Sequence, residues 1–294
     1  MAACAERPRA EAQGPLTPAG SEAYLTPLAW EAREPGRAGA VYLLGSIHVG
    51  TRQMGTLHPA IVEAYGRSEE LVVEVDLSTA ADAVALATAW DERAWLPAGQ
   101  SLDQVIGPDT WRRLSDWLAS RGIDPAPLLP MKPWAVLLHL VRSEFARQGY
   151  GAEQGVDRAF LDAAAGRKPI VALESYALQL DLYDGFSYEI QEMMLRDLLD
   201  PEDPAYTAAL VEAWGRGDEQ AFLELLFPSA ERWLPYQERF FYERNEHMAR
   251  RLSELARDGK TRFVVVGVGH MVGPRGIPAL LAGRGFHVER IGQN

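Results

Sequence analysis

Val41-Tyr42-Leu43-Leu44-Gly45-Ser46-Ile47-His48 and Arg262-Phe263-Val264-Val265-Val266-Gly267-Val268-Gly269-His270 decide how this chain folds. Each is a short apolar run stopped by glycine, and each sets a histidine three residues beyond a glycine. Leu71-Val72-Val73-Glu74-Val75-Asp76, Pro169-Ile170-Val171-Ala172-Leu173-Glu174 and Phe286-His287-Val288-Glu289-Arg290-Ile291 have similar character. Continuous runs rich in β-branched residues read as strands buried on both faces, as in a sheet covered by helices. Met54, Leu57, Ile61, Val62 and Tyr65 recur at helical spacing between the first two runs, which makes 41–76 a β–α–β unit.

Residues 79–150 are helical in pattern and rich in tryptophan (Trp90, Trp95, Trp111, Trp117, Trp134). Within them, Leu128 to Val141 reads as one buried helix. Gly151 to Gly166 and Tyr176 to Tyr183 are also helical in pattern. Residues 186–258 form a second helical stretch, punctuated by Pro201, Pro204, Pro228 and Pro235, before the chain returns to the sheet at 262. The expectation is an α/β fold: one domain over 23–294 with a central mixed, mainly parallel sheet split by helical insertions at about 79–150 and 186–258. Residues 1–22, rich in Ala, Pro, Gly and charge without hydrophobic periodicity, read as a disordered tether.

Composition narrows the function classes. The 294 residues carry 29 Lys and Arg against 41 Asp and Glu, a formal charge of −12. No basic block offers the clustered cations that phosphate neutralisation needs, so nucleic acid is an unfavourable partner. One cysteine, Cys4, rules out an internal disulfide or a Cys-rich zinc site. No apolar run reaches the ~18 residues of a membrane helix. Ala2-Ala3-Cys4 followed by a polar tether resembles the end of a bacterial lipoprotein signal. The expectation is therefore an extracytoplasmic protein, periplasmic or lipid-anchored at Cys4, if an apolar segment belongs upstream, and otherwise a cytoplasmic one.

The repeated strand–Gly-x-x-His pattern is the most informative chemical feature. Strand C-termini line one edge of a parallel sheet, and ligands bind in the crevice there. Gly45-Ser46-Ile47-His48 and Gly267-Val268-Gly269-His270 would bring two imidazoles to that edge, a natural start for a metal site. Carboxylates occupy comparable places: Glu74 and Asp76 close the second run and Glu174 the third. A charge inside an apolar strand is costly unless paired or metal-bound. Asp76 also suits a turn or helix N-cap, and Glu174 a cap of the helix from Ser175. On the helix around 240–257, Arg244 and Asn245 share the apolar stripe of Phe241, Met248, Leu252 and Leu255. They read either as a buried bridge from Arg244 to Glu74 or Glu174, or as a clamp for substrate or oxyanion. Glu153 and Asp157, four apart on a helix, read as an exposed pair.

Rival motifs are weaker. Residues 263–269 mimic a dinucleotide fingerprint, with Glu289 about 20 residues on, but Val272 sits where the third glycine belongs. His139 reads as a satisfied core residue, and His58, His247 and His287 lack a constellation. No Gly-x-Ser-x-Gly elbow, His-Glu-x-x-His or phosphate loop occurs.

Taken together the blocks resemble the TraB/PrgY/GumN superfamily, which includes the animal TIKI proteases, and most closely its bacterial GumN-like branch. The resemblance runs over about 24–292: Pro27-Leu28-Ala29-Trp30, Tyr42 to Val49, Leu71 to Asp76, Lys132-Pro133-Trp134, Glu153 to Asp157, Ala172-Leu173-Glu174 with Gln179-Leu180, Arg244-Asn245 and Val266 to Gly273. Ser46 stands where the family usually has Thr.

The resemblance implies a fold shared with erythromycin-esterase-like and ChaN-like proteins. From TIKI it implies a metal-dependent protease using Mn²⁺ or Co²⁺, with Zn²⁺ an alternative. Its implied site maps onto His48, His270 and Glu74, the histidines as ligands and Glu74 as third ligand or general base. Glu174 would orient a histidine, and Arg244 with Asn245 would hold the carbonyl or developing oxyanion. The implied partner is a peptide or protein substrate. Three alternatives stand beside this: a ChaN-like haem or tetrapyrrole binder, a metal-independent esterase-like hydrolase using His48 as base, and a non-catalytic protein that sequesters a peptide.

Overall fold

The computed structural model describes residues 24–51, 55–199, 206–227 and 233–293. The expected tether, the Cys4 anchor and Met54 lie outside these residues. Six strands form one sheet: β1 (Ala29–Arg33), β2 (Val41–Ser46), β3 (Glu70–Val73), β4 (Ile170–Ala172), β5 (Arg262–Gly267) and β6 (His287–Arg290), in the order β4-β3-β5-β2-β1-β6. The run β4-β3-β5-β2 is parallel, and β1 pairs antiparallel with both β2 and β6. This is the mixed, mainly parallel α/β sheet expected.

The central strands behave as their composition demands. Every residue of β2 and β3 is buried, as is β5 up to Val266. Each valine so buried contributes roughly 1.5–3 kcal/mol relative to exposure. The outer strands depart from the expectation of burial on both faces. Ile170 and Val171 of β4 are half-buried and Ala172 is exposed, while β6 alternates exposed and half-buried residues. Both stand at sheet edges, where one flank and part of a face remain open. β1 reads Ala-Trp-Glu-Ala-Arg, with no β-branched residue, and is a strand because β2 and β6 pair with it on either side.

Thirteen α-helices occur among the described residues. They are α1 (Pro59–Arg67), α2 (Ala80–Arg93), α3 (Leu102–Val105), α4 (Pro108–Ser120), α5 (Pro133–Arg147), α6 (Val156–Ala164) and α7 (Tyr176–Asp184). After these come α8 (Tyr188–Leu199), α9 (Tyr206–Arg216), α10 (Glu219–Leu226), α11 (Leu234–Gln237), α12 (Glu243–Leu255) and α13 (Ile277–Gly283). The β–α–β helix is shorter than its pattern suggested. It opens at Pro59, capped by His58, and Leu57 instead bridges to Leu25.

The helical residues fall into two main cores. Leu114, Leu118, Val136, Leu140, Leu195 and Phe240 share one helical core. Trp214, Phe222, Met248 and Leu252 instead pack on the sheet with Leu44 and Val265. Trp214 also donates from Nε1 to the Gly45 carbonyl at 2.8 Å. The chain from 186 to 258 thus alternates between them, with Leu195 and Phe240 in the helical core and Trp214, Phe222 and Met248 on the sheet. His139, expected in the core, is exposed on α5.

Candidate functional site

Four neighbouring parallel strands deliver their chemistry to one edge. Ser46 at the end of β2 pairs with Gly267 at the end of β5, and Val265 pairs with Val73 of β3, which pairs with Ala172 of β4. Glu174 N donates to the Glu74 carbonyl at 2.8 Å, extending that ladder by one step. His48, His270, Glu74 and Glu174 therefore all follow strand C-termini on the same side of the sheet. A 3₁₀ turn over Val268–His270 brings the second histidine back towards the first.

The glycines explain how close these groups come. A Cβ at Gly267 would lie 3.2 Å from Glu74 Oε1, 3.6 Å from His48 Nε2 and 3.7 Å from His270 Cδ2. Three functional side chains thus surround a single methyl-sized point. Gly267 N also donates to Glu74 Oε1 at 2.5 Å. At Gly269 a Cβ would strike the Phe241 ring at 2.5 Å; that ring comes from a π-helical turn, Glu238–Tyr242, and packs against His270.

Each imidazole is fixed through its Nδ1. His48 Nδ1 lies 3.0 Å from Asp157 Oδ2, and Asp157 Oδ1 accepts from Ser46 Oγ at 2.7 Å. The Asp157 carboxylate raises the His48 pKa to about 9. The His48 side chain is 68% exposed, whereas that of His270 is only 5% exposed. His270 Nδ1 faces Asn245 Oδ1 at 2.5 Å, while Asn245 Nδ2 donates to the Arg275 carbonyl at 2.8 Å. That donation fixes which end of the amide meets the ring, so His270 Nδ1 carries the proton and Nε2 a lone pair. Burial lowers the His270 pKa to about 4, keeping the ring neutral. Its Nε2 is 3.8 Å from Glu74 Oε1.

Beneath them lies a buried ionic knot. Arg244 donates Nε to Glu174 Oε1 (2.8 Å), Nη2 to Glu174 Oε2 (2.7 Å) and to Glu74 Oε2 (2.9 Å), and Nη1 to the Phe240 carbonyl (2.8 Å). Gln179 Nε2 reaches both carboxylates at 3.1 Å. Burial opposes the charge on Glu74, but the two imidazoles, Arg244 and the Gly267 N–H overcome it and hold its pKa near 2.

The hydrogen bonds show where each candidate residue sits. Arg244 forms the buried bridge, to both Glu74 and Glu174, rather than a clamp open to substrate. Asn245 commits both ends of its amide to His270 and Arg275, so it positions an imidazole and does not face a carbonyl. Glu174 is bonded to Arg244 and Gln179 rather than to a histidine, and Ser175 caps α7. Asp76 is the turn residue, accepting from Ser78 N at 2.8 Å. Asp157 is no exposed pair with Glu153; it is the acceptor that orients His48. The sequence reading missed Asp157 and Gln179 as site residues, because only the packing of α6 and α7 on the strand ends brings them there, and it missed Ser46, inside the first Gly-x-x-His motif, because its role depends on Asp157.

A cleft of about 720 Å³ opens over this edge, lined among others by His48, Glu74, Asp157, Tyr176, Gln179 and Arg142. The donor chemistry of His48, His270 and Glu74, two imidazoles and a carboxylate, matches Zn²⁺, Mn²⁺ or non-haem iron sites. The cradle at Gly267 is where they meet. Among the described residues no three His, Cys, Asp or Glu side chains close to metal-holding geometry.

Comparison with known proteins bears on identity. Uncharacterised YbaP proteins of Escherichia coli (strain K12) and Shigella flexneri are each 28% identical over 140 residues, covering 47% of this chain and 50% of theirs. This chain thus spans about half the length of the curated relatives it matches. No solved structure matches it significantly. Residues 28–290 match the TraB/PrgY/gumN family, and the chain belongs to that family.

Proposed function

We propose that this protein is a metal-dependent hydrolase acting on peptide bonds. The observation that carries the reading is the double Nδ1 anchoring. Asp157 holds one imidazole and Asn245 the other, so that both present a side towards Glu74 around Gly267. Metal-ligating histidines are fixed in this manner by an acceptor on their second nitrogen. The formal charges agree: Glu74, Glu174 and Asp157 against Arg244 and a protonated His48 leave one excess negative charge, which becomes two when a divalent cation takes the place of the His48 proton. His48, His270 and Glu74 would hold the ion. Bound there, it would supply Lewis-acid polarisation of a carbonyl and a more acidic water. Arg244 and Gln179 both donate to Glu74 Oε2, which keeps the carboxylate ionised and aimed and leaves Oε1, met only by the Gly267 N–H, to face the ion. Mn²⁺ or Co²⁺ and a peptide substrate follow from the family resemblance.

A second reading rests on the His48–Asp157 pair, in which His48 acts without a metal as general base in its deprotonated form, favoured at alkaline pH by its raised pKa. The two separate on chelation. The purified protein is assayed on unstructured peptides with EDTA, then with Mn²⁺ or Co²⁺ restored. Metal-dependent cleavage that vanishes in His48→Ala and His270→Ala supports the first reading. Cleavage that survives exhaustive chelation and needs only His48 supports the second.

A further inference from the structure

Among the described residues, the walls of the cleft hold one arginine that no carboxylate answers. Glu74 is taken up by Arg244, Gln179 and Gly267 N–H, and Asp157 by Ser46 and His48. Arg158 pairs with Asp162 at 2.7 Å, and Glu153 accepts from Gln154 Nε2 at 3.1 Å. Arg142, exposed on α5, lines the same cleft and has no hydrogen bond or ion pair with any described residue.

We propose that Arg142 is a specificity-determining residue that binds a carboxylate on the peptide substrate. The substrate class rests on the hydrolase reading above. A guanidinium presents parallel N–H groups that match a carboxylate, and holding it unpaired over a cleft stores that recognition for a ligand. The protein's net charge of −12 disfavours a polyanion, so a single carboxylate is the favoured anion. Val73, Val75, Leu77 and Leu161 in the same lining would receive the apolar part of the residue that carries it. The carboxylate has two sources, the C-terminus of a short peptide or an Asp or Glu side chain.

The test uses fluorescein-labelled random hexapeptides and the protein as purified. Three pools are compared by anisotropy: free C-terminus without Asp or Glu, amidated with one Asp or Glu, and amidated without either. Either carboxylate-bearing pool is expected to bind at least tenfold tighter than the last, and which one does so names the source. Arg142→Gln should abolish that preference and Arg142→Lys retain part of it. Equal binding of all three pools by the wild type, no binding of any, or an undiminished preference in Arg142→Gln overturns the proposal. Cleavage is followed in the same samples. An intact preference without metal-dependent cleavage would overturn the hydrolase reading and leave the role of Arg142 standing.

Discussion

Asn245 Oδ1 meets His270 Nδ1 at 2.5 Å, and this contact decides what the rest of the ring can do. Because the other end of the amide is committed to the Arg275 carbonyl, His270 offers a lone pair from Nε2 towards Glu74. Replacing Asn245 by Ala frees the ring to rotate or change tautomer. Metal affinity is expected to fall ~10–100-fold, the usual cost of losing such a partner. Titration calorimetry with Mn²⁺ checks this. Asp157→Ala should act in the same direction through His48.

Gly267→Ala places a methyl among Glu74 Oε1, His48 Nε2 and His270 Cδ2. It should abolish metal binding and hydrolysis while costing no more than ~1–3 kcal/mol in stability, the usual range for overpacking. Gly66→Ala is the control. That glycine lies exposed in α1 with nothing within 4 Å of an added Cβ, so the change should stabilise by about 0.5–1 kcal/mol. Denaturant melts of the two variants, read beside metal uptake, separate damage to the site from damage to the fold.

At the opposite end of β5, Arg262 is 2% exposed and donates to Glu70 Oε2 (2.8 Å), to both Asp258 oxygens (2.8 and 2.6 Å) and to the Leu255 carbonyl (2.6 Å). Arg262→Met leaves the buried Glu70 carboxylate with only Lys260 and should cost ~3–5 kcal/mol. Urea denaturation measures it. The double variant Arg262→Met/Glu70→Gln should recover part of the loss, because it no longer buries an unbalanced charge.

Glu144 carries a pH dependence of stability. Hydrogen bonds from Arg147, Gln148 and Arg121 lower its pKa from 4.5 to about 2. A depressed carboxylate stabilises the fold fully above its unfolded pKa and loses that contribution as pH falls through the folded value. The window is therefore pH 4.5 down to 2. Arg147 is largely exposed, so solvent screening reduces the contribution to about 1 kcal/mol. Glu144→Gln should lower stability by that amount at pH 7 and flatten the acid limb of the stability curve.

The sequence and the structure part company for identifiable reasons. The buried strands β2, β3 and β5 were legible because they need apolar side chains on both faces. β1 was not, since its pairing comes from its neighbours. The two Gly-x-x-His motifs and Glu74 were legible because glycine and a charge stand out at the ends of apolar runs. Asp157 was hidden because four-residue spacing on a helix describes an exposed pair as well as a site residue. Only the packing of α6 against the end of β2 distinguishes the two. Arg244 showed its burial through the helix stripe, but its partners lie 70 and 170 residues away.

If His48, His270 and Glu74 form a divalent metal site, the protein must retain metal through those side chains. After loading with Mn²⁺ or Co²⁺ and exhaustive dialysis, elemental analysis should find one ion per wild-type chain and none in the His48→Ala/His270→Ala double variant, with both folded by circular dichroism. Equal metal content in the two proteins, or none in the wild type, would show that these residues do not form the site.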